Sequence, residues 1–542
     1  MASADPARIN REPLLSGSDQ ALRATYIGCA ILFGVPLFLA LLAAAEHHSE
    51  SLAVRYFASA MVVDGHPENV WVGPGHLISS VQHAIYFFID RVLDVPASDL
   101  PGRFHAFGYL SNCFVVALNS VVLLAIYRCR VFSLEDKLIL AALSIVPVLA
   151  TGSAGLYYSN LPDYYHLNIV LVTASVALFA RNLRDKSPSN LNWLGGLLGL
   201  FVGIAASNKI TMIPIAAATF LPLLHPAARL GGRLALKATA ISILCAACAY
   251  LFVLLLFHGV RPSLVVAGLI KTRVFLSSLP TESNPGELIA HYLVGHSYAY
   301  MLTAFVMSLP IALLFWRQPK EGSTQRATML VGIVIASLSY LVVLIKKPTG
   351  TTFFEISNAL VALTAMAILC IEPTRVRRAT TAIVALIMGA AVVMNLSFAD
   401  QYNNMRADKL VNQIGWALFW RTQALGKPVV VVIPDNRYVA GGPYAALLKG
   451  VSDQPTWNIT TGRIYLDRLH SPVFFRTDVT NPTPDVPYDE NAVILWFDVL
   501  HFQPLPDRYP SLREAVKWRR CESNIVVPTI IQATTCIPAL PT

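Results

Sequence analysis

The sequence predicts an α-helical polytopic membrane protein, with about eleven transmembrane helices followed by a small C-terminal extracytoplasmic α/β domain. Three observations lead there. Hydrophobic residues make up 55% of the chain and charged ones 13%, and the mean hydropathy is +0.55. Apolar runs of membrane-crossing length recur up to residue 396. Beyond Asn395 the composition changes to that of a soluble domain, with turn-rich stretches such as "NPTPDVPYDEN".

The polar residues 1–23 are expected to form a cytoplasmic tail, and no small-residue cleavage pattern clearly ends the apolar run after them. Spans are predicted near 24–45, 106–127, 138–156, 166–181, 191–207, 210–225, 237–257, 293–316, 328–345, 355–372 and 379–396. Alternate connections carry the basic residues: Arg128, Arg130 and Lys137; Arg181, Arg184 and Lys186; Arg229, Arg233 and Lys237; Arg317, Lys320 and Arg326; Arg375, Arg377 and Arg378. By the positive-inside rule these connections and the N-terminus are cytoplasmic. The formal charge of +9 is therefore spread over orientation signals rather than gathered in a basic domain, and no nucleic-acid partner is expected. The loop 46–105 and the domain 397–542 fall on the outer side.

The first outer loop is too long for a plain connection. It opens with "AEHHSESLAVRYFASAMVVDG", where Glu46, His47, His48 and Glu50 are suitable metal ligands by type. Their spacing is not that of His-Glu-x-x-His, and neighbouring histidines on a helix point about 100° apart. Glu50 with Asp163 and one histidine, such as His166, is the candidate set for a divalent metal ion; interfacial polar residues are the alternative. Leu52, Tyr56, Ala60 and Val63 fall at helical spacing. In "HLISSVQHAIYFFIDRVLD", Leu77, Val81, Ile85, Phe88 and Leu93 share roughly one face. Both stretches read as amphipathic helices at the membrane interface, a setting suited to a substrate with a lipid tail.

The next outer connection, "YYSNLPDYYHLN", brings Asp163 and His166 to the mouth of a span, where a charge is costly unless it meets water or a partner. Its tyrosines are also what an interfacial belt contains. In "LGGLLGLFVGIAASNKITMIPIAAATFLPLL", Lys209 is a single cation in a Gly- and Ala-rich setting that lets helices approach closely. It suits a phosphate as a point charge; snorkelling to the interface is the alternative. The other outward concentrations of positive charge are Arg261, Lys271 and Arg273, then Lys346 and Lys347 followed by Glu355. In the terminal domain "KPVVVVIPDN" and "NAVILWFD" read as strands and "GGPYAALLKG" as a helix. Cys521 and Cys536 are expected to pair in an oxidising compartment.

These parts, in this order, resemble the GT-C glycosyltransferases, in particular the protein O-mannosyltransferase and lipid A aminoarabinose transferase group. Those enzymes use polyprenyl-phosphate sugars on the outer membrane face. Their first outer loop has an Asp-Glu-x-x-Tyr helix followed by small residues and a Gly. Counting back from Gly65 places Glu50 at the catalytic acid, with Ser51 where the second acid would stand and Arg55-Tyr56 two positions late. "VGPGHLISSVQHAIYFF" is similar to the segment before their second interfacial helix, Arg103 matches an Arg opening the next span, and Asp163 matches an Asp just before a span. "LGLFVGIAASNK" brings Lys209 into register with the lysine that contacts the lipid phosphate, and "KKPTGTTFFEISN" matches a late Lys followed by Arg-Tyr, without the Arg-Tyr.

The resemblance covers residues 24–372 and implies a GT-C-like module. It implies a sugar passed from a polyprenyl-phosphate donor to a lipid, glycan or protein acceptor among the membrane lipids. Glu50 and Asp163 would be catalytic, with Lys209, Arg103, Arg261, Lys271, Arg273 and Lys347 on the lipid donor and His47, His48, His166 and Glu355 as neighbours. The expected location is the bacterial inner membrane. A transporter remains the alternative from another class, though no internal repeat or paired broken spans support it; a ligase or polymerase of lipid-linked glycans is a further one.

Overall fold

The chain is represented by a computed structural model that describes residues 75–95, 100–150, 164–184, 191–209, 232–278, 361–369, 429–432, 463–464, 473–476, 491–499, 504–508, 510–527 and 531–539, with isolated positions at 55–63, 212–215, 378–386 and 425–427. Seven helices of the N-terminal part are α1 (His76–Arg91), α2 (Leu100–Arg128), α3 (Leu134–Ala150), α4 (Tyr164–Arg184), α5 (Leu191–Asn208), α6 (Gly232–Phe257) and α7 (Pro262–Ser278). Two of these contain stretches long and apolar enough to cross a membrane, His105–Arg128 and Leu236–Phe257; Leu167–Arg181 and Gly195–Asn208 are shorter apolar helices. The expected spans at 24–45, 210–225, 293–316, 328–345 and 379–396 lie wholly or largely outside the described residues.

Neighbouring helices are ordered by specific contacts. Gln82 of α1 donates to the Ser111 hydroxyl of α2 at 3.3 Å, and Asp90 meets Arg103, so α1 runs antiparallel to the start of α2. The turn after α2 is closed by a reciprocal cap: Ser133 N–H donates to the Asp136 carboxylate and Asp136 N–H to the Ser133 hydroxyl, both at 3.1 Å. Asn208 at the end of α5 donates to Asn168 near the start of α4 at 2.5 Å, which makes those two helices antiparallel.

Helices α5 and α6 are parallel and unusually close. Gly195, Gly199 and Gly203 are spaced by four on α5, and facing them on α6 are Ala238, Ser242 and Ala246. A Cβ at Gly199 would collide with the Ser242 carbonyl, and one at Gly203 with the Ala246 carbonyl. The Ser242 hydroxyl crosses the seam to the Gly195 carbonyl at 2.6 Å. Small residues on both faces and an interhelical hydrogen bond are the means by which helices associate where burial from water gives no driving force.

The apolar faces turned outward agree with such a setting. On α6, Leu236, Ile243, Leu244, Leu251 and Phe252 are each at least half exposed, while Ser242 is buried. Ile78, Val115, Leu140, Leu143, Leu167, Val170 and residues of the helical segment 361–369 form the inner core. Among the seven helices of the N-terminal part, one was not expected from the sequence: α7 occupies the connection holding Lys271 and Arg273. Its signal is Pro262 at the first helical position, where the missing N–H costs nothing.

Among the described residues the C-terminal part forms one six-stranded sheet with order β2-β3-β1-β4-β6-β5, from β1 (Val429–Val432), β2 (Arg463–Ile464), β3 (Val473–Arg476), β4 (Val493–Val499), β5 (Arg519–Val527) and β6 (Ile531–Pro538). Strands β3, β1 and β4 are parallel; β2, β6 and β5 join antiparallel. Helices α8 (Leu505–Arg508) and α9 (Pro510–Val516) precede β5. Val493 to Trp496 are all buried, the pattern of a central strand covered on both faces. Ile494 and Trp496 join Val430, Leu512 and Cys536 in the core of this domain. Cys521 and Cys536 face each other across β5 and β6 and form a disulfide, which for a 15-residue separation contributes roughly 3 kcal/mol. The expected helix at "GGPYAALLKG" lies outside the described residues.

Candidate functional site

Helix α1 has its faces arranged the opposite way to a helix on a soluble protein. His76, Ser79, Gln82, His83 and Tyr86 are buried together with Ile78 and Ile89. The apolar stripe is the outer one: Leu77, Val81 and Ile85 are only partly buried, Phe88 is exposed, and Leu93 follows the helix end on the surface. Buried polar groups need partners, and His76, Ser79, Gln82 and His83 find hydrogen bonds on α5, on α2 and on residues 55–59.

The N-terminus of α1 is latched to the end of α5. Gly75 N–H donates to the Asn208 carbonyl at 2.5 Å, and His76 Nδ1 lies 2.9 Å from the Ser207 carbonyl. A carbonyl only accepts, so Nδ1 carries the proton in the neutral ring and Nε2 keeps its lone pair. One turn on, Ser79 accepts from Arg55 at 2.6 Å. His83 Nδ1 is 2.9 Å from the Ser59 hydroxyl, which itself donates to the Arg55 carbonyl at 2.8 Å; His83 is therefore the donor in the first of these bonds. Phe257, at the end of α6, has its ring 4.8 Å from that of His76 and 5.6 Å from that of His83. Tyr56 closes the far side, its ring meeting Tyr86 and Phe107 edge-on at 5.2 and 5.3 Å.

Burial holds both imidazoles uncharged. It pushes His76 down to about 4, opposed by the Ser207 carbonyl and assisted by the neighbouring His258 and Arg55. It pushes His83 down to about 3, opposed by the Phe257 carbonyl and assisted by Arg55 and His258. Directly after His258 the backbone takes positive φ at Gly259 and Val260. For a β-branched residue such as Val260 that conformation costs on the order of 1 kcal/mol, stored at the joint that leads to Arg261.

The residues picked from the sequence are placed unevenly. Lys209 follows Asn208 directly, is half-buried, and donates its N–H to the Ala205 carbonyl at 3.1 Å. It stands one residue beyond the latch that α1 makes on α5. Arg103 is buried; it pairs with Asp90 at 2.9 Å and donates through Nε to the Val95 carbonyl at 2.8 Å. Its guanidinium thus ties the end of α1 to the start of α2, and a phosphate there would have to share it. Arg261 is exposed in the turn before α7, and Lys271 and Arg273 lie on α7. His166 lies in the first turn of α4, and its side chain is outside the described set. Glu46, His47, His48, Glu50, Asp163, Lys346, Lys347 and Glu355 lie outside the described residues. Among the described residues no three His, Cys, Asp or Glu side chains gather into a metal-holding group.

Sequence reading missed His76, Ser79, His83 and Asp90 as a set. Their signal was available: polar residues at intervals of three, four and seven make a stripe complementary to the apolar one. No protein-family model matches the sequence, and a search of curated proteins gives no match.

Proposed function

We propose that the protein is a GT-C type glycosyltransferase that moves a sugar from a polyprenyl-phosphate donor to an envelope lipid, glycan or protein acceptor at the outer membrane face. The observation that carries this reading is the convergence at one end of the helical module. The first long loop sends α1 onto the ends of α5 and α6, immediately before Lys209, while Asn168 ties the start of α4, and hence the chain just after Asp163, to Asn208. These contacts support the reading by bringing Arg55, the start of α4 and the chain before Lys209 to one end of the module; Glu50 and Asp163 themselves lie outside the described residues. The reading includes the eleven-span arrangement, with the domain 397–542 outside and available to select the acceptor.

In this mechanism Glu50 accepts the proton of the acceptor hydroxyl as its oxygen forms the new bond to the anomeric carbon. The bond from that carbon to the phosphate oxygen breaks, and the phosphate leaves with the electron pair. Lys209, with Arg261, Lys271 or Arg273, offsets the charge that develops there. Direct displacement inverts the anomeric centre. Asp163 orients the acceptor. If a divalent ion takes part, Glu50, Asp163 and His166 are the residues that would hold it, and no step above depends on it.

The test compares envelope glycans by mass spectrometry in a strain lacking the protein and in the same strain carrying variants. Loss of one glycosyl modification, restored by the wild-type chain but not by Glu50→Gln or Lys209→Gln at equal membrane levels, is the expected result. A well-expressed Glu50→Gln protein that restores the modification fully would remove Glu50 from the mechanism.

A further inference from the structure

Trp518 belongs to neither the helical module nor the transfer chemistry. It is 78% exposed, more than any other large hydrophobic residue described. Its place is the turn between α9 and β5. That turn is held firmly: the Arg519 guanidinium donates to the Ala492 carbonyl at 3.2 Å and to the Ala515 carbonyl. The strand that follows is paired along its length with β6 and cross-linked to it through Cys521 and Cys536. A fixed backbone thus presents the largest side chain of all to the outside, the arrangement that lets an aromatic anchor bind without first losing conformational freedom.

Basic residues flank Trp518 in the chain: Arg513 and Lys517 before it, Arg519 and Arg520 after it. Arg513 and Lys517 are one turn apart on and just after α9, and each meets a carboxylate, Asp507 at 3.3 Å and Glu514 at 3.0 Å. Arg520 is exposed and has no ion-pair partner among the described residues. An indole ring is amphipathic and settles at the headgroup level of a bilayer, while exposed basic residues are drawn to anionic headgroups. The same chain carries the membrane-length helices, so a lipid surface is always within reach at high effective concentration, and a small contact suffices. Glycans also stack on exposed indoles, but the exposed Arg520 beside this one complements headgroup phosphates rather than neutral hydroxyls.

We propose that the Trp518 turn docks the C-terminal domain on the membrane surface, with Trp518 at headgroup depth and Arg520 on anionic lipid. The proposal depends on the membrane setting of the helical module and not on the glycosyltransferase reading. It is tested on the full chain in nanodiscs containing anionic phospholipid, plain or brominated near the headgroup. The emission of Trp518 is isolated as the difference between the wild-type protein and Trp518→Phe. The expected result is loss of most of that difference emission in brominated discs, with protection from soluble acrylamide. Arg520→Gln, or discs of neutral lipid alone, should restore much of it. Difference emission that is equal in plain and brominated discs, or that instead responds to added soluble oligosaccharide, would overturn the proposal.

Discussion

His83 and His76 carry no charge at neutral pH because burial leaves no solvent to stabilise one, and Arg55 and His258 face the same space. In the unfolded chain both rings take a proton near pH 6.5, but in the folded chain only near pH 3 and 4. Between those values the unfolded state binds more protons, so stability is complete above about pH 6.5 and falls as the pH drops. The loss should reach a few kcal/mol, on the order expected for groups displaced by more than a unit. Thermal unfolding of the purified protein between pH 7.5 and 4.5 measures it, with His83→Asn retaining a donor near Ser59 but no titration. A variant whose melting temperature falls with pH as steeply as the wild type would show that His83 is not responsible. Little of this was legible beforehand. The apolar stripe of α1 follows from its period, but the partner of His76 lies 131 residues away and that of His83 lies 24 away, and local patterning does not encode such pairs.

Among whole elements, legibility follows the length of the apolar run. Helix α5 at Leu191–Asn208 and α6 at Gly232–Phe257 coincide closely with the expected 191–207 and 237–257, because an uninterrupted apolar stretch leaves the backbone no alternative to internal hydrogen bonds. The strands at Val429–Val432 and Val493–Val499 stand where β-branched runs predict them. Which helices pair is a different matter, and here glycine spacing is the informative feature. At Gly199 an added methyl meets the backbone of Ser242 rather than a side chain that could turn away. Gly199→Ala should therefore force α5 and α6 apart and cost about 1–3 kcal/mol, seen as a lower melting temperature. Gly196→Ala, whose Cβ would meet only the Ile241 and Cys245 side chains at 3.7 and 3.9 Å, should be close to neutral. Equal effects at the two glycines would contradict a close seam between α5 and α6.

At the scale of the molecule, the basic clusters of the connections and the α1 site lie at different ends of the helices, with Arg103, Lys209 and Arg261 as the cations that stand at the site end. Arg181 and Arg184 close α4, Arg233 and Lys237 open α6, Arg128 and Arg130 lie at the end of α2 far from Arg103, and Lys137 lies in the first turn of α3. The residues that gather around α1 lie at the opposite ends: Asn168 near the start of α4, Phe257 at the end of α6, and Ser207 and Asn208 at the end of α5. Parallel packing of α5 and α6 is essential to this sorting, since it puts Asn208 and Phe257 at the same end. If the basic ends are cytoplasmic, the α1 site must open outwards. The prediction is read by labelling intact cells with a membrane-impermeant maleimide, in a background where the native free cysteines are replaced. A cysteine at Asp94, just beyond α1, should react without permeabilisation, and one at Arg130 only after it. The reverse pattern would place the site on the cytoplasmic face, where an outward-facing lipid-linked donor could not reach Lys209, and the transferase reading would fall with the orientation. Labelling at both positions from one side would instead separate charge sorting from membrane crossing, because α2 connects the two positions and must cross for them to differ.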